Sequence, residues 1–166
     1  AFAVGIEYNI DPELIAKGLC DYTPSGMRQR IKDADGITVI EDCYNASPDS
    51  QKAGLNTLCK IAKARKIAVL GDMLELGDYS DTAHYEVGKI AGETKTDIVL
   101  TFGSLSRLIK KGAEENGAES YSFNDKSELT SFLKSILKEN DTVLFKGSRS
   151  MKMEEIFHEL YKEWEV

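Results

Sequence analysis

Short apolar runs alternate along this chain with stretches whose apolar residues recur at helical spacing, and that alternation confines the fold to the α/β class. Lys66-Ile67-Ala68-Val69-Leu70, Asp97-Ile98-Val99-Leu100-Thr101 and Thr142-Val143-Leu144-Phe145 are the runs, with Glu119 to Phe123 a weaker fourth. Near-continuous apolar strands suit a parallel sheet covered on both faces. Between and after them lie three helical stripes: Leu55, Leu58, Cys59 and Ala62; Leu129, Phe132, Leu133, Ile136 and Leu137; and Met153, Ile156, Phe157, Leu160 and Trp164. All three read as core-facing. Upstream, Met27 to Lys32 and Ile37 to Asp42 flank an Asp35-Gly36 step. Asp-Gly accepts the positive φ of a tight two-residue turn, so this pair predicts an antiparallel hairpin. The expected architecture is a Rossmann-like, doubly wound, mostly parallel sheet with one antiparallel hairpin strand and helices on both faces.

Asp11-Pro12 is a helix start, with Asp as N-cap and Pro at the first helical position, for a helix reaching about Leu19. Cys20 to Gly26 reads as a linker. Ala1 to Tyr8 resembles the end of an amphipathic helix, which suggests a chain cut from a longer protein. Residues 1–25 are then expected to be a remnant of a preceding domain, and residues 26–166 the domain proper.

In doubly wound sheets ligands bind beyond the carboxyl ends of the strands. Four such ends carry polar or glycine clusters: Asp42 to Pro48, Gly71 to Gly77, Phe102-Gly103-Ser104 and Lys146 to Ser150. Asp42 can accept hydrogen bonds from ribose hydroxyls, and the Asn45 amide both donates and accepts. Ser47-Pro48 is equally an ordinary helix start, and Asn45 can simply satisfy a turn. Lys146 and Arg149 flank a Gly-Ser step ahead of a helix, a setting that favours anions. His84 reads as readily as a core histidine as a ligand. His158 is expected to have no chemistry.

The net charge of −7 excludes the basic face that nucleic acid or anionic lipid requires. No apolar run approaches bilayer length. The three cysteines fit neither a zinc knuckle nor a redox pair, and read as free thiols of a reducing cytoplasm. There is no G-x-x-x-x-G-K-[ST] phosphate loop and no G-x-G-x-x-G after a strand. Ribose and anion hands without a phosphate loop make half of a site.

Taken together, four segments resemble the Mur ligase family, and within it the branch that adds D-alanyl-D-alanine. Asp42-Cys43-Tyr44-Asn45-Ala46-Ser47-Pro48 is similar to its D-x-Y-N-A-[SN]-P motif. Gly71 to Gly77, followed by His84 and Val87-Gly88, resembles G-D-M-x-E-L-G…H-x-x-V-G. Lys146 to Ser150 with Met153-Glu154 resembles K-G-S-R-x…M-E, and Gly26-Met27-Arg28 the G-x-R entry to the domain. The resemblance implies the carboxy-terminal domain of a three-domain, ATP-dependent ligase of cell-wall precursor synthesis. ATP and Mg2+ would be held mainly by a central domain upstream, so this chain alone is expected to be inactive. The implied substrates are UDP-N-acetylmuramoyl-tripeptide and D-alanyl-D-alanine, joined through an acyl phosphate. By the same resemblance Arg28 reaches ATP phosphate or ribose, while Asp42, Tyr44 and Asn45 contact the nucleoside. Lys146, Ser148 and Arg149 are assigned to the dipeptide carboxylate or to charge stabilisation; on charge and place alone Asp72 and Glu75 are assigned to the dipeptide ammonium, and His84 joins them as a substrate-side residue. The alternatives are a folylpolyglutamate synthase-like ligase domain, which shows A-H-N-P at the first motif, and a non-catalytic nucleotide- or anion-binding module.

Overall fold

The computed structural model describes residues 1–22 and 28–164, with side chains to Tyr161. Most of the expected linker, with Gly26 and Met27, lies outside the described residues, as does the Trp164 side chain.

Helix α1 (Phe2–Glu7) is packed on α2 (Pro12–Cys20), with Gly5 against Ile15. Asp11 caps α2 as its sequence predicts, accepting from the Glu13 and Leu14 amides. Strands β1 (Arg30–Ala34) and β2 (Ile37–Asp42) form the antiparallel hairpin, with Arg30 opposite Glu41 and Ala34 opposite Ile37. Asp35 and Gly36 both have positive φ, 52° and 75°, the requirement of a two-residue turn matched to strand twist.

From β2 the chain winds regularly through α3 (Pro48–Ile61), β3 (Lys66–Gly71), α4 (Ser80–Glu93), β4 (Ile98–Phe102), α5 (Arg107–Glu115), β5 (Glu119–Phe123), α6 (Lys126–Ile136), β6 (Thr142–Lys146) and α7 (Glu154–Trp164). The sheet order is β1-β2-β6-β3-β4-β5, and every pairing except β1–β2 is parallel. One core layer packs Leu55, Leu58, Val87 and Ile109 of α3, α4 and α5 on one face. The other packs Leu129, Leu133, Ile156 and Phe157 of α6 and α7 on the opposite face. Because β6 inserts between β2 and β3, the ends of β2, β6, β3 and β4 stand side by side at one edge.

One expectation needs correction. Cys59 does not face the core: the buried side of α3 is Gln51, Gly54, Leu55 and Leu58. The true phase runs through polar Gln51, which an apolar stripe search passes over. Helix α4 has no side-chain cap from Ser80 or Asp81; a single 3-10 turn, Gly77–Tyr79, leads into it instead. Gly88 lets α4 approach α5, since a Cβ there would collide with the Ile109 carbonyl. All three cysteines are free, Cys20 and Cys59 exposed and Cys43 buried. Among the described residues no helix is long and apolar enough to cross a membrane.

Candidate functional site

The loop after β2 turns sharply into α3 through a reciprocal cap. Ser47 Oγ accepts from the Ser50 amide at 3.3 Å, and Ser50 Oγ accepts from the Ser47 amide at 2.9 Å. Asn45 Oδ1 accepts from the Ala46 amide at 2.8 Å, which leaves its Nδ2 as a donor. Beside this loop β6 delivers Lys146, which is 1% exposed. Its Nζ donates to Asp42 Oδ2 at 2.6 Å and to the Asn45 carbonyl at 3.1 Å. A buried ammonium keeps its charge only with such partners, so the pair holds the Asp42 carboxylate and the Asn45 turn in one geometry. The Arg28 guanidinium lies 3.8 Å from the centre of the half-exposed Tyr44 ring, a cation–π contact that orders both.

These groups surround a cavity of about 430 Å3, lined by Tyr22, Arg28, Gln29, Asp42, Tyr44, Asn45, Ser47, Ser50 and Lys146. A second cavity, of about 310 Å3, is lined by Asn45, Leu74, Glu75, Ser148, Arg149 and Ser150. Asn45 borders both. Arg149 is held by an ion pair with Glu154, which raises its guanidinium further above its ordinary value, first through the hydrogen bond itself. Cys43, between the two loops, donates to the Phe145 carbonyl at 3.3 Å. Burial, then the Glu154 and Asp42 carboxylates, push its thiol well above the usual range, which disfavours the thiolate.

The loop after β3 is built differently. Asp72 is buried, and its Oδ1 accepts from the Ser106 amide at 2.7 Å. Its carbonyl accepts from the Ser148 amide at 3.1 Å. Gly103, at φ +120°, lies against that carboxylate so closely that any Cβ would collide with it. Ser148 Oγ accepts from the Leu74 amide at 2.9 Å. His84, fully buried, accepts from the Met73 amide at Nε2 (2.9 Å) and approaches the Ser80 carbonyl with Nδ1 (2.7 Å), which sets the tautomer with hydrogen on Nδ1. One network thus locks the loops after β3, β4 and β6 together.

The sequence-predicted residues therefore divide. Arg28, Asp42, Tyr44, Asn45 and Lys146 meet at the first cavity, and Glu75, Ser148 and Arg149 at the second. Lys146 lies on the first cavity's side, its charge engaged by Asp42. Asp72 and His84 line neither: Asp72 Oδ1 and both ring nitrogens of His84 are engaged by the scaffold. Glu75 stands exposed at φ 66° on the tip of the loop they hold. Sequence reasoning passed over Tyr22, which sits in the stretch read as linker, and Ser47 and Ser50, whose capping pattern is visible but whose place on the cavity wall is not. Among the described residues no group of three or more His, Cys, Asp or Glu is arranged to hold a metal ion.

Comparison with known proteins follows the same lines. Residues 27–149 match the family model described as Mur ligase, glutamate ligase domain. The chain is 40% identical over 166 residues to the UDP-N-acetylmuramoyl-tripeptide--D-alanyl-D-alanine ligase of Bacillus subtilis, covering 96% of this chain and 36% of that enzyme. It is 34% identical over 171 residues to the ligase of the same name from Mycobacterium leprae, covering 91% of this chain and 33% of the relative. The crystal structure of MurF ligase from Thermotoga maritima in complex with ADP superposes with a TM-score of 0.82 at 25% identity, over 99% of this chain and 36% of that one. The chain spans about a third of the length of the curated relatives it matches.

Proposed function

Because the chain belongs to the Mur ligase family, we propose that it is the carboxy-terminal, closing domain of an ATP-dependent ligase that joins D-alanyl-D-alanine to UDP-N-acetylmuramoyl-tripeptide in the cytoplasm. The observation that carries this reading is the pair of polar cavities at one sheet edge with Asn45 common to both. A ligase of this kind must bring a nucleotide and an amine to one carboxylate. Two adjoining cavities on a single rigid edge suit that task.

The proposed chemistry is amide synthesis. ATP transfers its terminal phosphoryl group to the tripeptide carboxylate, the dipeptide amine attacks the acyl carbon, and inorganic phosphate leaves with the carboxylate oxygen. This chain contributes binding and orientation, which in favourable cases supplies ~7–11 kcal/mol of a barrier. The first cavity takes the nucleoside: Asp42 accepts from ribose hydroxyls, the Asn45 amide donates, and Arg28 on Tyr44 offers a cation to phosphate or ribose. The second takes the dipeptide, with Arg149 and the Ser148 turn at its carboxylate and Glu75 toward its ammonium. Asp72 and His84 act as supports for that wall. The magnesium ion is assigned to the upstream central domain, so no step is routed through a metal here.

The test is phosphate release from ATP by the full-length gene product, with muramoyl tripeptide and D-alanyl-D-alanine added singly and together. Release that requires both is the expected result. Release with a folate and glutamate instead moves the protein to a sister activity, and no turnover under either condition leaves a binding module.

A further inference from the structure

Beside the Arg149 cavity lies a buried carboxylate to which no role has been assigned. After Arg149 the chain makes a 3-10 turn, Arg149–Met151, then passes through Lys152 in the left-handed conformation and enters α7 at Glu154. The turn fixes the Arg149 backbone, since the Met151 amide donates to the Ser148 carbonyl at 2.9 Å. The side chain is fixed separately, by an NH1 hydrogen bond to Glu154 Oε1. Arg149 is exposed at the cavity wall, whereas Glu154 is buried beneath it. Glu154 Oε2 has no hydrogen-bond partner among the described residues. A buried carboxylate satisfied at one oxygen only is a costly arrangement in a fold, and calls for a reason.

We propose that Glu154 is a positioning residue: it takes one edge of the Arg149 guanidinium so that the remaining N–H groups are presented to the carboxylate of the amine-donating dipeptide. The proposal rests on reading the Arg149 cavity as the dipeptide site. Guanidinium grips carboxylate through two parallel N–H···O bonds only if its plane is held in line, and a free Arg side chain loses rotamer entropy to reach that geometry. Glu154 meets that entropy cost in advance. It touches no substrate; it acts through Arg149.

The experiment is steady-state kinetics of the full-length ligase carrying Glu154→Gln, Arg149→Ala and both, each with a thermal melt. Glu154→Gln, which keeps an acceptor but removes its charge, should raise the KM for D-alanyl-D-alanine about tenfold, the difference between a charged and a neutral hydrogen bond, with kcat and the KM for ATP within about twofold of wild type. Arg149→Ala should raise the same KM at least as far. In the Arg149→Ala background, Glu154→Gln should add nothing, a coupling that a merely structural role would not produce. If Arg149→Ala raises the dipeptide KM and Glu154→Gln does not, the positioning role is overturned and the dipeptide cavity stands. If neither changes it, the assignment of the cavity itself is wrong. A fall in melting temperature and kcat with both KM values raised together makes Glu154 structural and overturns the proposal. Should Glu154→Gln fail to fold, Glu154→Asp keeps the charge but shortens the reach, and is held to the same pattern at smaller size.

Discussion

The loops after β2 and after β3 each open with a strand-end carboxylate, Asp42 and Asp72, yet the fold uses them in opposite ways. Asp42, Tyr44 and Asn45 all line a cavity, and their loop is steadied from outside by Lys146, delivered by the neighbouring strand, and by Arg28 against the Tyr44 ring. Asp72 and the Met73 and Leu74 amides turn inward, meeting Ser106, His84 and Ser148. The first loop leaves hydrogen-bonding capacity open to its cavity; the second spends most of its own on protein partners. What separates them is position in the sheet. The loop after β3 lies between those after β4 and β6, so its polar groups find protein partners on both sides.

This contrast can be broken at either end. The largest effect is expected from Lys146→Met, which leaves Asp42 buried without its cation. Removing one partner of such a pair costs about 3–5 kcal/mol, to be read from denaturant unfolding. A loss below 1 kcal/mol would mean that the pair does not hold this loop. His84→Leu comes next. It keeps the bulk but strands the buried Met73 amide, at a cost of about 2 kcal/mol. The full-length enzyme should keep its KM values. A raised KM for either substrate without loss of stability would make His84 part of a ligand site after all.

Much of the architecture is legible in the sequence because it is periodic or local. The hairpin followed from Asp35-Gly36, the α2 start from Asp11-Pro12, and the parallel strands from continuous apolar runs bracketed by helical stripes. The candidate edge was legible too, since strand ends in a doubly wound sheet must share one side. The division of labour along that edge was not. Whether Asp72 faces a ligand depends on Ser106 and Gly103, more than thirty residues away, and no spacing rule reaches so far. Buried Glu41 escaped notice for the same reason. It reads as the polar end of a strand, but accepts from the Tyr161 hydroxyl at 2.6 Å and pairs with Lys32 at 2.9 Å. The Arg65–Asp141 pair, at 2.6 Å, likewise joins segments distant in sequence. Gln51 hid the phase of α3 because a polar residue at 0% exposure contradicts the pattern that defines a buried face.

The most direct test of the contrast is Asp72→Asn in the full-length ligase, with the KM for D-alanyl-D-alanine and the melting temperature measured on the same preparation. Asparagine keeps an acceptor for the Ser106 amide but places an NH2 where the second oxygen was. If Asp72 belongs to the scaffold, the melting temperature falls by a few degrees, the KM stays within about twofold, and kcat follows stability alone. A dipeptide KM raised tenfold at an unchanged melting temperature would contradict this and return Asp72 to the substrate's ammonium group.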